Sequence, residues 1–498
     1  MKLETIIGLE VHVQLKTDSK MFCSCSNKGE NEPANTTVCP ICLAHPGTLP
    51  VPNQKAIEQA IRLALSLDCE VNSILKFDRK NYFYPDLPKG YQISQQDEPL
   101  GKGGKVLLRL NNKEYAVRLE RVHVEEDTGK STHVGKDSLI DFNRAGTPLV
   151  EIVSKPDIHS PQEAKAYLQE IRLIVRTLGV SDADMEKGHL RCDANISLRP
   201  EGNENYYPKT EIKNLNSFRS VEKALSYEVS RQTKMWEAGE TPTRLTTRGW
   251  DEKKNETVEQ RVKEEAHDYR YFQEPDIPVT KISDDLVKKL YAELPELPDQ
   301  KRHRFQEQYG FDNDTIEMMI ADHGLASFTE EVISELQAWL LTLENAEGTK
   351  EDIWHENKPK LIKLISNWLI NKLLKILSDN NLTIADHKVT PENFAEFIVM
   401  IQEKKINNTT ALNLLTKMVD TGSDPCNLVE SEDLKIAGGE VNLEKIIDKI
   451  IKDNPTQVSE YKAGKLPLFQ YFVGLAMKET KGRVDSAELK EMLENKLK

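Results

Sequence analysis

Acidic, amide and imidazole side chains alternate with apolar ones along residues 7–15, as in a β-strand with one apolar and one polar face. Glu10 and His12 lie on the polar face. A strand exposed to solvent alternates in the same way, although such a strand favours Lys, Glu and Thr. A carboxylate two residues from an imidazole is instead a combination found among metal ligands. We therefore treat Glu10 and His12 as candidate ligands.

A second alternating segment, residues 190–197, presents Asp193 and Asn195 on its polar face. A third, around residue 212, adds ammonium groups, among which Lys213 is a candidate. Carboxylate, amide and ammonium groups together suit a metal ion and a phosphate. A solvated strand face remains the alternative interpretation of each segment.

Further carboxylates occupy strand-like segments. Glu125 and Glu126 end a predicted strand that runs into a turn, a position where ligands are commonly presented. Glu151 is the single charged residue of the apolar run 148–153. Burial of a lone carboxylate is unfavourable unless it meets a cation or several donors. Either Glu151 contacts a bound cation, or it forms a structural ion pair with an arginine such as Arg144.

A helical pattern extends from about residue 218 to residue 238 and ends at Gly239. Asn216 or Ser217 could cap its N-terminus. The free N–H groups of a helix start can bind phosphate, so Ser217 joins the candidate nucleotide site. The chain has no Gly-x4-Gly-Lys-Ser/Thr motif, so a nucleotide would bind without a P-loop.

Four of the seven cysteines form two close pairs, with thirteen residues between the pairs. Such pairs, joined by a turn-rich loop, can place four thiolates around a tetrahedral zinc ion. Unliganded thiols and redox chemistry are the alternatives. A zinc ion with four cysteine ligands has no open position, so this site would be structural. The predicted ligands are Cys23, Cys25, Cys39 and Cys42.

Length and composition limit the class of protein. The chain has 498 residues, of which 38% are hydrophobic and 30% are charged, so two or three domains are expected. The formal net charge of −14 argues against a protein that coats nucleic acid through charge alone. No apolar run has the length of a membrane span and the first residues are too polar for a signal peptide, which predicts a cytoplasmic protein.

Turn-rich residues 293–300 and 422–425 predict two domain boundaries. Short alternating segments dominate before the first boundary, and helical patterns follow it. The sequence therefore predicts an α+β fold with domains at residues 1–296, 297–424 and 425–498. Within the helical region, the polar residues 344–359 predict a loop.

Eight motifs, spread in order over about the first 280 residues, resemble those of GatB, the B subunit of the glutamyl/aspartyl-tRNA amidotransferase. These motifs are IGLEVHVQL at 7–15, KFDRKNYFYP at 76–85, GYQISQ at 90–95, HVEEDTGKS at 123–131, NRAGTPLVEI at 143–152, LRCDANIS at 190–197, KNLNS at 213–217 and DYRYF at 268–272.

The resemblance implies a fold and an activity. The fold would be a cradle-shaped domain on an antiparallel sheet, then an all-α domain and a small YqeY-like helical tail that contacts tRNA. The activity would be that of a carbon–nitrogen ligase with glutamine as the amide donor. Such an enzyme would use ATP and Mg²⁺ to phosphorylate the side-chain carboxylate of Glu on tRNA(Gln) or Asp on tRNA(Asn), and would then transfer ammonia to it. The implied partners are the amidase subunit GatA, the small subunit GatC and the misacylated tRNA.

The resemblance also assigns roles to the candidate residues. The magnesium shell would comprise Glu10, His12, Glu125 and Glu151, and the nucleotide would contact Asp193, Asn195, Lys213 and Ser217. His12 is the unusual member, because imidazole is not a preferred magnesium ligand.

Two other interpretations stay open. One is the archaeal relative that serves only tRNA(Gln), which carries an extra inserted domain that this chain lacks. The other is a tRNA-binding scaffold without catalysis of its own, which would have lost the four residues of the magnesium shell, whereas this chain retains all four. The sequence does not decide between Glu-tRNA(Gln) and Asp-tRNA(Asn) as substrates.

Overall fold

The computed structural model describes residues 2–110, 113–262, 268–340, 349–431, 443–479 and 486–497. It divides into two compact units, Met1–Asp299 and Gln300–Lys498. The first unit combines a large sheet with helices, and the second is helical. The predicted α+β class is therefore confirmed.

The described part of the first unit contains short and long strands, connected by turns and by four helices. The strands are β1 Leu3–Gln14, β2 Glu70–Val71, β3 Ile74–Leu75, β4 Asp78–Asn81, β5 Tyr91–Ser94, β6 Gly101–Lys102, β7 Lys105–Leu110, β8 Lys113–Glu126, β9 Lys130–Val134, β10 Asp137–Asp141, β11 Pro148–Ser154, β12 Leu190–Pro200, β13 Thr210–Leu215, β14 Thr246–Asp251, β15 Glu256–Val262, β16 Phe272–Gln273 and β17 Thr280–Lys281. The helices are α1 Gln54–Ser66, α2 Pro161–Thr177, α3 Phe218–Glu237 and α4 Asp284–Ala292.

Among the described residues, the main sheet has ten strands in the order β15-β14-β13-β12-β1-β11-β8-β6-β2, with β7 also paired to β8. The resemblance implied an antiparallel sheet, and one pair departs from it, because β13 and β14 are parallel. The departure has a local cause. Helix α3 connects these two strands, and such a crossover brings the chain back in the same direction.

One face of the sheet forms the core of the first unit. The apolar residues of β1 and β12 point to this face, where Val11, Val13, Ala194 and Ile196 have no exposed surface. Helices α2 and α3 cover the same face with buried side chains such as Leu168. Because side chains alternate along a strand, the covered apolar face leaves the polar side chains of β1 and β12 on the opposite face. The predicted alternation of both segments is therefore confirmed.

The described part of the second unit is built from helices with two π-helical segments, Phe305–Tyr309 and Ser366–Leu373. The helices are α5 Pro298–Arg304, which spans the division between the units, α6 Asn313–Ala321, α7 His323–Leu340, α8 Lys350–Ile365, α9 Leu374–Asp379, α10 Pro391–Gln402, α11 Asn408–Thr421, α12 Pro425–Ser431, α13 Leu443–Asp453, α14 Pro455–Lys462, α15 Leu468–Glu479 and α16 Ser486–Leu497. Helices α13, α15 and α16 share a core of their own.

The prediction of a loop at residues 344–359 is wrong for the part that the structure describes. Residues 344–348 lie outside the described residues, and α8 begins at Lys350. Thr349 caps this helix with a capping box to Asp352. Ile353 is buried within the predicted loop, and the same helix continues beyond it to the buried residues Leu361, Ile362 and Ile365.

No helix in the described ranges combines the length and the apolar character that crossing a bilayer requires.

Candidate active site

The pairing of β1, β11 and β8 brings distant residues together on the polar face. In the antiparallel register, His12 on β1 lies opposite Glu151 on β11. Glu151 in turn lies opposite His123 on β8, and Glu125 follows His123 by two residues on the same face. Three strands therefore place two imidazoles and two carboxylates side by side.

These four side chains form a tight cluster. His12 Nε2 lies 3.4 Å from Glu151 Oε2 and 3.7 Å from Glu125 Oε1. His123 Nε2 lies 3.2 Å from Glu151 Oε2 and 3.6 Å from Glu125 Oε2. Ser94 Oγ donates to Glu125 Oε2 at 3.0 Å. The ligand atoms of His12, Glu125 and Glu151 lie within 4.8 Å of one another, so they could hold one metal ion.

The electrostatics of this cluster favour anionic carboxylates. Burial opposes the charge of Glu151, but the imidazoles of His123 and His12 outweigh burial and hold the pKa of Glu151 well below its usual value. The reverse holds for His12, where the carboxylates Glu151 and Glu125 overcome burial and raise the pKa to about 9. The anionic forms of Glu125 and Glu151 are therefore stabilised by the imidazolium groups beside them.

Glu10 lies next to this cluster rather than inside it. Its Oε1 accepts a hydrogen bond from Asn195 Nδ2 at 2.9 Å. Burial raises the pKa of Glu10, and the negative charge of Glu151 raises it further. A cation near both carboxylates would relieve this repulsion. The structure thus groups three of the four residues predicted for the magnesium shell, His12, Glu125 and Glu151, and places Glu10 with Asn195 beside them.

The remaining predicted nucleotide residues have partners within the protein. Lys213 Nζ forms ion pairs with Asp193 Oδ2 at 2.6 Å and with Glu211 Oε1 at 3.0 Å. Ser217 caps helix α3, with its hydroxyl accepting from the backbone N–H of Ser220. The prediction of a cap at this position is confirmed.

A cleft of about 520 Å³ opens on the polar face and is lined by Glu10, Glu151 and Asn195. Its lining does not include Asp193, Lys213 and Ser217, nor His12 and Glu125 of the cluster. It is also lined by Lys209, one of the ammonium groups of the third alternating segment. Sequence reasoning did not single out five other lining residues, which are His123, Lys80, Arg121, Tyr269 and Tyr271. The spacing of two between His123 and Glu125 was a usable signal, because it puts both side chains on one face of β8.

Lys80 provides positive charge at this cleft. Its Nζ lies 5.0 Å from the ring centre of Tyr269 and 6.0 Å from that of Tyr82, within the range of cation–π contacts. Burial opposes its charge, but the carboxylates Glu125 and Glu151 raise the pKa of Lys80 above its usual value. The cleft therefore has a charged ammonium beside its carboxylates.

The proposed structural ion pair between Glu151 and Arg144 is wrong. The guanidinium of Arg144 donates to the carbonyl oxygens of Thr128 and Gly129 and lies 3.5 Å from Asp127. Glu126 also points away from the cluster, because its carboxylate binds Lys89 Nζ at 2.6 Å.

The cysteine pairs converge as predicted. The four sulfur atoms of Cys23, Cys25, Cys39 and Cys42 lie within 4.8 Å of one another. The backbone N–H of Cys39 donates to Cys42 Sγ at 3.1 Å. A hydrogen bond from Cys23, together with nearby charge, holds the pKa of Cys42 below its usual value. The thiols are free of disulfides, and the group is suited to one metal ion.

Comparison with known proteins identifies the family of the chain. The family model described as the GatB/GatE catalytic domain matches residues 5–288, which contain the whole polar face and the cysteine group. A second model, described as the GatB domain, matches residues 351–497. The chain therefore belongs to the GatB family.

Individual relatives match along the entire chain. A protein of Persephonella marina, named as the B subunit of an aspartyl/glutamyl-tRNA(Asn/Gln) amidotransferase, is 44% identical over 498 residues, which cover 100% of both chains. Proteins with the same name from Brevibacillus brevis and Thermotoga maritima are each 42% identical, covering 100% and 97% of this chain and 99% and 97% of their own. The chain is thus similar to subunits of an amidotransferase over its full length.

Proposed function

We propose that this chain is the B subunit of a tRNA-dependent amidotransferase and carries its amidation site on the polar face of the sheet. The reaction would convert Glu-tRNA(Gln), Asp-tRNA(Asn) or both into the correctly charged Gln-tRNA(Gln) and Asn-tRNA(Asn). The observation that carries this proposal is the cluster of His12, Glu125 and Glu151 beside the cleft. Relatives that match the full chain carry the corresponding name.

A divalent cation fits the donor set of this cluster. Glu125 and Glu151 supply carboxylate oxygens, which Mg²⁺ prefers, and Glu10 adds a third carboxylate nearby. We assign His12 to the same shell, as a ligand or as a donor to a phosphate oxygen, because imidazole is a poor magnesium ligand. Bound there, Mg²⁺ would neutralise the charge that develops on phosphate oxygens during phosphoryl transfer.

The proposed chemistry has two steps. The side-chain carboxylate of the misattached amino acid attacks the γ-phosphorus of ATP, and ADP leaves. Ammonia then attacks the acyl carbon, and inorganic phosphate leaves. Attack of one anion on another needs positive charge at the site, and the ammonium of Lys80 lies at the cleft. We propose that Asn195 orients Glu10, and that Lys213, Asp193 and Ser217 act on the nucleotide from beside the cleft.

A zinc ion fits the cysteine group. Sulfur atoms placed tetrahedrally about 2.3 Å from zinc are separated by about 3.8 Å. The measured separation of Cys39 Sγ and Cys42 Sγ is 3.9 Å. We therefore propose a structural zinc ion bound by the four cysteines, which would fix their loop.

The proposed partners are an amidase subunit (GatA) that releases ammonia from glutamine, the small subunit GatC, and misacylated tRNA. The naming of the relatives as subunits supports a complex. A cytoplasmic location is proposed because charged tRNA is the substrate.

Reconstitution tests the proposal. The chain is expressed with its amidase and small subunits and incubated with glutamine, ATP, Mg²⁺ and either Glu-tRNA(Gln) or Asp-tRNA(Asn), and the amino acid released from the tRNA is identified. We expect ATP-dependent formation of Gln-tRNA or Asn-tRNA. Omission of this chain is the control, and it should leave the glutaminase activity without amidation.

A tRNA-binding scaffold is the alternative function. It would bind the tRNA but leave conversion unaffected when Glu125 and Glu151 are replaced. Conversion that persists in those variants would contradict the proposed catalytic role.

A further inference from the structure

Lys20 is a fully buried lysine next to the cysteine group, with no exposed surface. Its Nζ donates to the carbonyl oxygen of Thr37 at 2.9 Å and lies 3.4 Å from that of Phe142. The same atom lies 3.7 Å from Cys42 Sγ. Within the described ranges, Lys20 forms no ion pair with a carboxylate, so its counter-charge must come from another kind of group.

Charge balance indicates that the counter-charge of Lys20 is the thiolate of Cys42. Burial of an ammonium without a counter-ion is strongly unfavourable. Carbonyl oxygens offer dipoles, whereas the thiolate of Cys42 offers a full charge. A zinc ion with four thiolates has a net charge of about −2, which is itself unfavourable in a buried place. One ammonium in contact with a ligand sulfur compensates half of this charge, and the cluster compensates the ammonium.

The contacts of Lys20 also join separate parts of the chain. Thr37 lies in the loop between the two cysteine pairs, and Phe142 lies shortly before β11. Asn143 strengthens the same connection, because its Oδ1 accepts from the N–H of Thr37 at 2.9 Å and its Nδ2 donates to Pro33 O at 2.8 Å. The cysteine loop is thereby bound to the segment that leads into β11, the strand that carries Glu151.

We propose that Lys20 is a positioning residue for the zinc centre, acting as the counter-charge that retains the metal and as the link from the cysteine loop to the segment before β11. The inference rests on the zinc site proposed above.

The experiment measures zinc retention in the purified full-length chain. Zinc content is determined by elemental analysis, and zinc release to an excess of a chromophoric chelator is followed over time. In Lys20→Met and Lys20→Gln we expect release to be faster by about 10- to 100-fold, the range seen when a group supporting metal ligands is removed. Lys16→Met is the matched control, because Lys16 is exposed and pairs with Asp182, and its release rate should equal that of the wild type.

A second background separates charge from packing. Cys42→His removes one thiolate charge and the sulfur that Lys20 contacts. In this background, Lys20→Met should accelerate release much less than it does in the wild type. An equal acceleration in both backgrounds would assign Lys20 to packing and overturn the proposal.

Two other results would also overturn the proposed role of Lys20, and they lead to different conclusions about the zinc site. Unchanged release from zinc-loaded Lys20→Met and Lys20→Gln would remove Lys20 from the metal centre but leave the zinc site intact. A wild-type chain purified without zinc would remove the zinc site and the role of Lys20 together, while the amidation reaction could still be measured.

A measurement on the wild-type chain tests the proposal even if the Lys20 variants do not fold. The folded chain is treated with an amine-reactive reagent before and after chelation, and labelled lysines are identified by mass spectrometry. Lys20 should be protected in the zinc-loaded chain and labelled after chelation, whereas Lys16 should be labelled in both states. Equal labelling of Lys20 in both states would contradict its coupling to the metal.

Discussion

Three consecutive carboxylates, Glu125, Glu126 and Asp127, have three different surroundings. Glu125 faces the imidazoles of the candidate active site. Glu126 faces away, where its Oε2 binds Lys89 and its Oε1 accepts from a backbone N–H. Asp127 binds the guanidinium of Arg191. Since neighbouring side chains on a strand point to opposite faces, identical residue types one position apart can have unrelated roles.

At the residue scale we predict that Glu125→Gln lowers amidation by at least about 100-fold, because loss of an anionic ligand removes several kcal/mol of charge stabilisation. Glu10→Gln should act in the same direction. Glutaminase activity of the partner subunit should survive in both variants. The assay is the reconstituted conversion of misacylated tRNA, and Glu120→Gln, an exposed position on the same strand, is the control. Full conversion by the Glu125 and Glu10 variants would exclude both residues from the site.

At the scale of elements, one buried carboxylate attaches helix α3 to the edge of the sheet. Glu228 has no exposed surface. Its carboxylate lies 2.8 Å from Arg231 on the same helix and 3.3 Å from Arg248 on β14, and it accepts a hydrogen bond from Thr257 on β15. The helix, β14 and β15 therefore share one charged network away from the cleft.

We predict that Glu228→Gln destabilises the first unit by about 2–3 kcal/mol at pH 7, because a buried charged hydrogen-bond network is broken. Burial opposes the charge of Glu228, but Arg231 outweighs it and lowers the pKa. Because the pKa of Glu228 is lower in the folded chain than its value of 4.5 in the unfolded chain, its charge stabilises the fold above pH 4.5. This stabilisation is lost as the pH falls through the pKa of Glu228 in the folded chain. The difference in melting temperature between wild type and variant should therefore stay constant from pH 7 to about pH 5 and shrink as the pH falls below 4.5.

The control for this prediction is Glu222→Gln on the same helix. Glu222 pairs with Lys165 in a partly exposed position, and its loss should change stability by less than about 1 kcal/mol. A melting difference for Glu228→Gln that is independent of pH would show that its charge does not stabilise the fold.

At the scale of the whole molecule, the proposed function requires an acidic chain to bind a polyanion. After Tyr461 the sequence has eight Lys or Arg residues against five Asp or Glu residues, an excess opposite in sign to the net charge. Part of this charge is engaged within the tail, since Lys496 pairs with Glu444 and Asp448. Lys481 and Arg483 lie outside the described residues. A solvated helical surface and a tRNA-binding surface both fit this composition.

We predict that deletion of residues 432–498 raises the KM for charged tRNA and flattens its dependence on salt, because phosphate contacts release counterions. The deletion retains α12, whose Val429 is buried. Turnover at saturating tRNA should fall much less, because the proposed catalytic residues lie in the unit Met1–Asp299.

A milder variant, Lys462→Gln with Lys490→Gln, keeps the tail folded and should reduce the salt slope by about one for each lost phosphate contact. Unchanged affinity and salt slope in both variants would assign the tail to folding or to the docking of another subunit.

Local features of the sequence were sufficient to predict the polar faces of β1 and β12, the cap at Ser217 and the grouping of the cysteines. Each depends on residues close together in the chain, through the alternation of a strand, a capping side chain or a short ligand spacing. The same reasoning failed at residues 350–359, because this polar segment belongs to a helix whose buried apolar residues lie mostly after residue 359.

The composition of the candidate active site was decided by the tertiary structure. His123 joins His12 and Glu151 because β8, β11 and β1 are adjacent and in one register. Strand order and register depend on burial over the whole sheet, and a shift by one residue would turn each polar side chain to the other face. The tertiary structure also decides that Arg144 lies beside Asp127 and not beside Glu151. The sequence by itself determined which residues can bind a metal ion or a phosphate. The long-range packing of the sheet decided which of these residues lie in contact with one another.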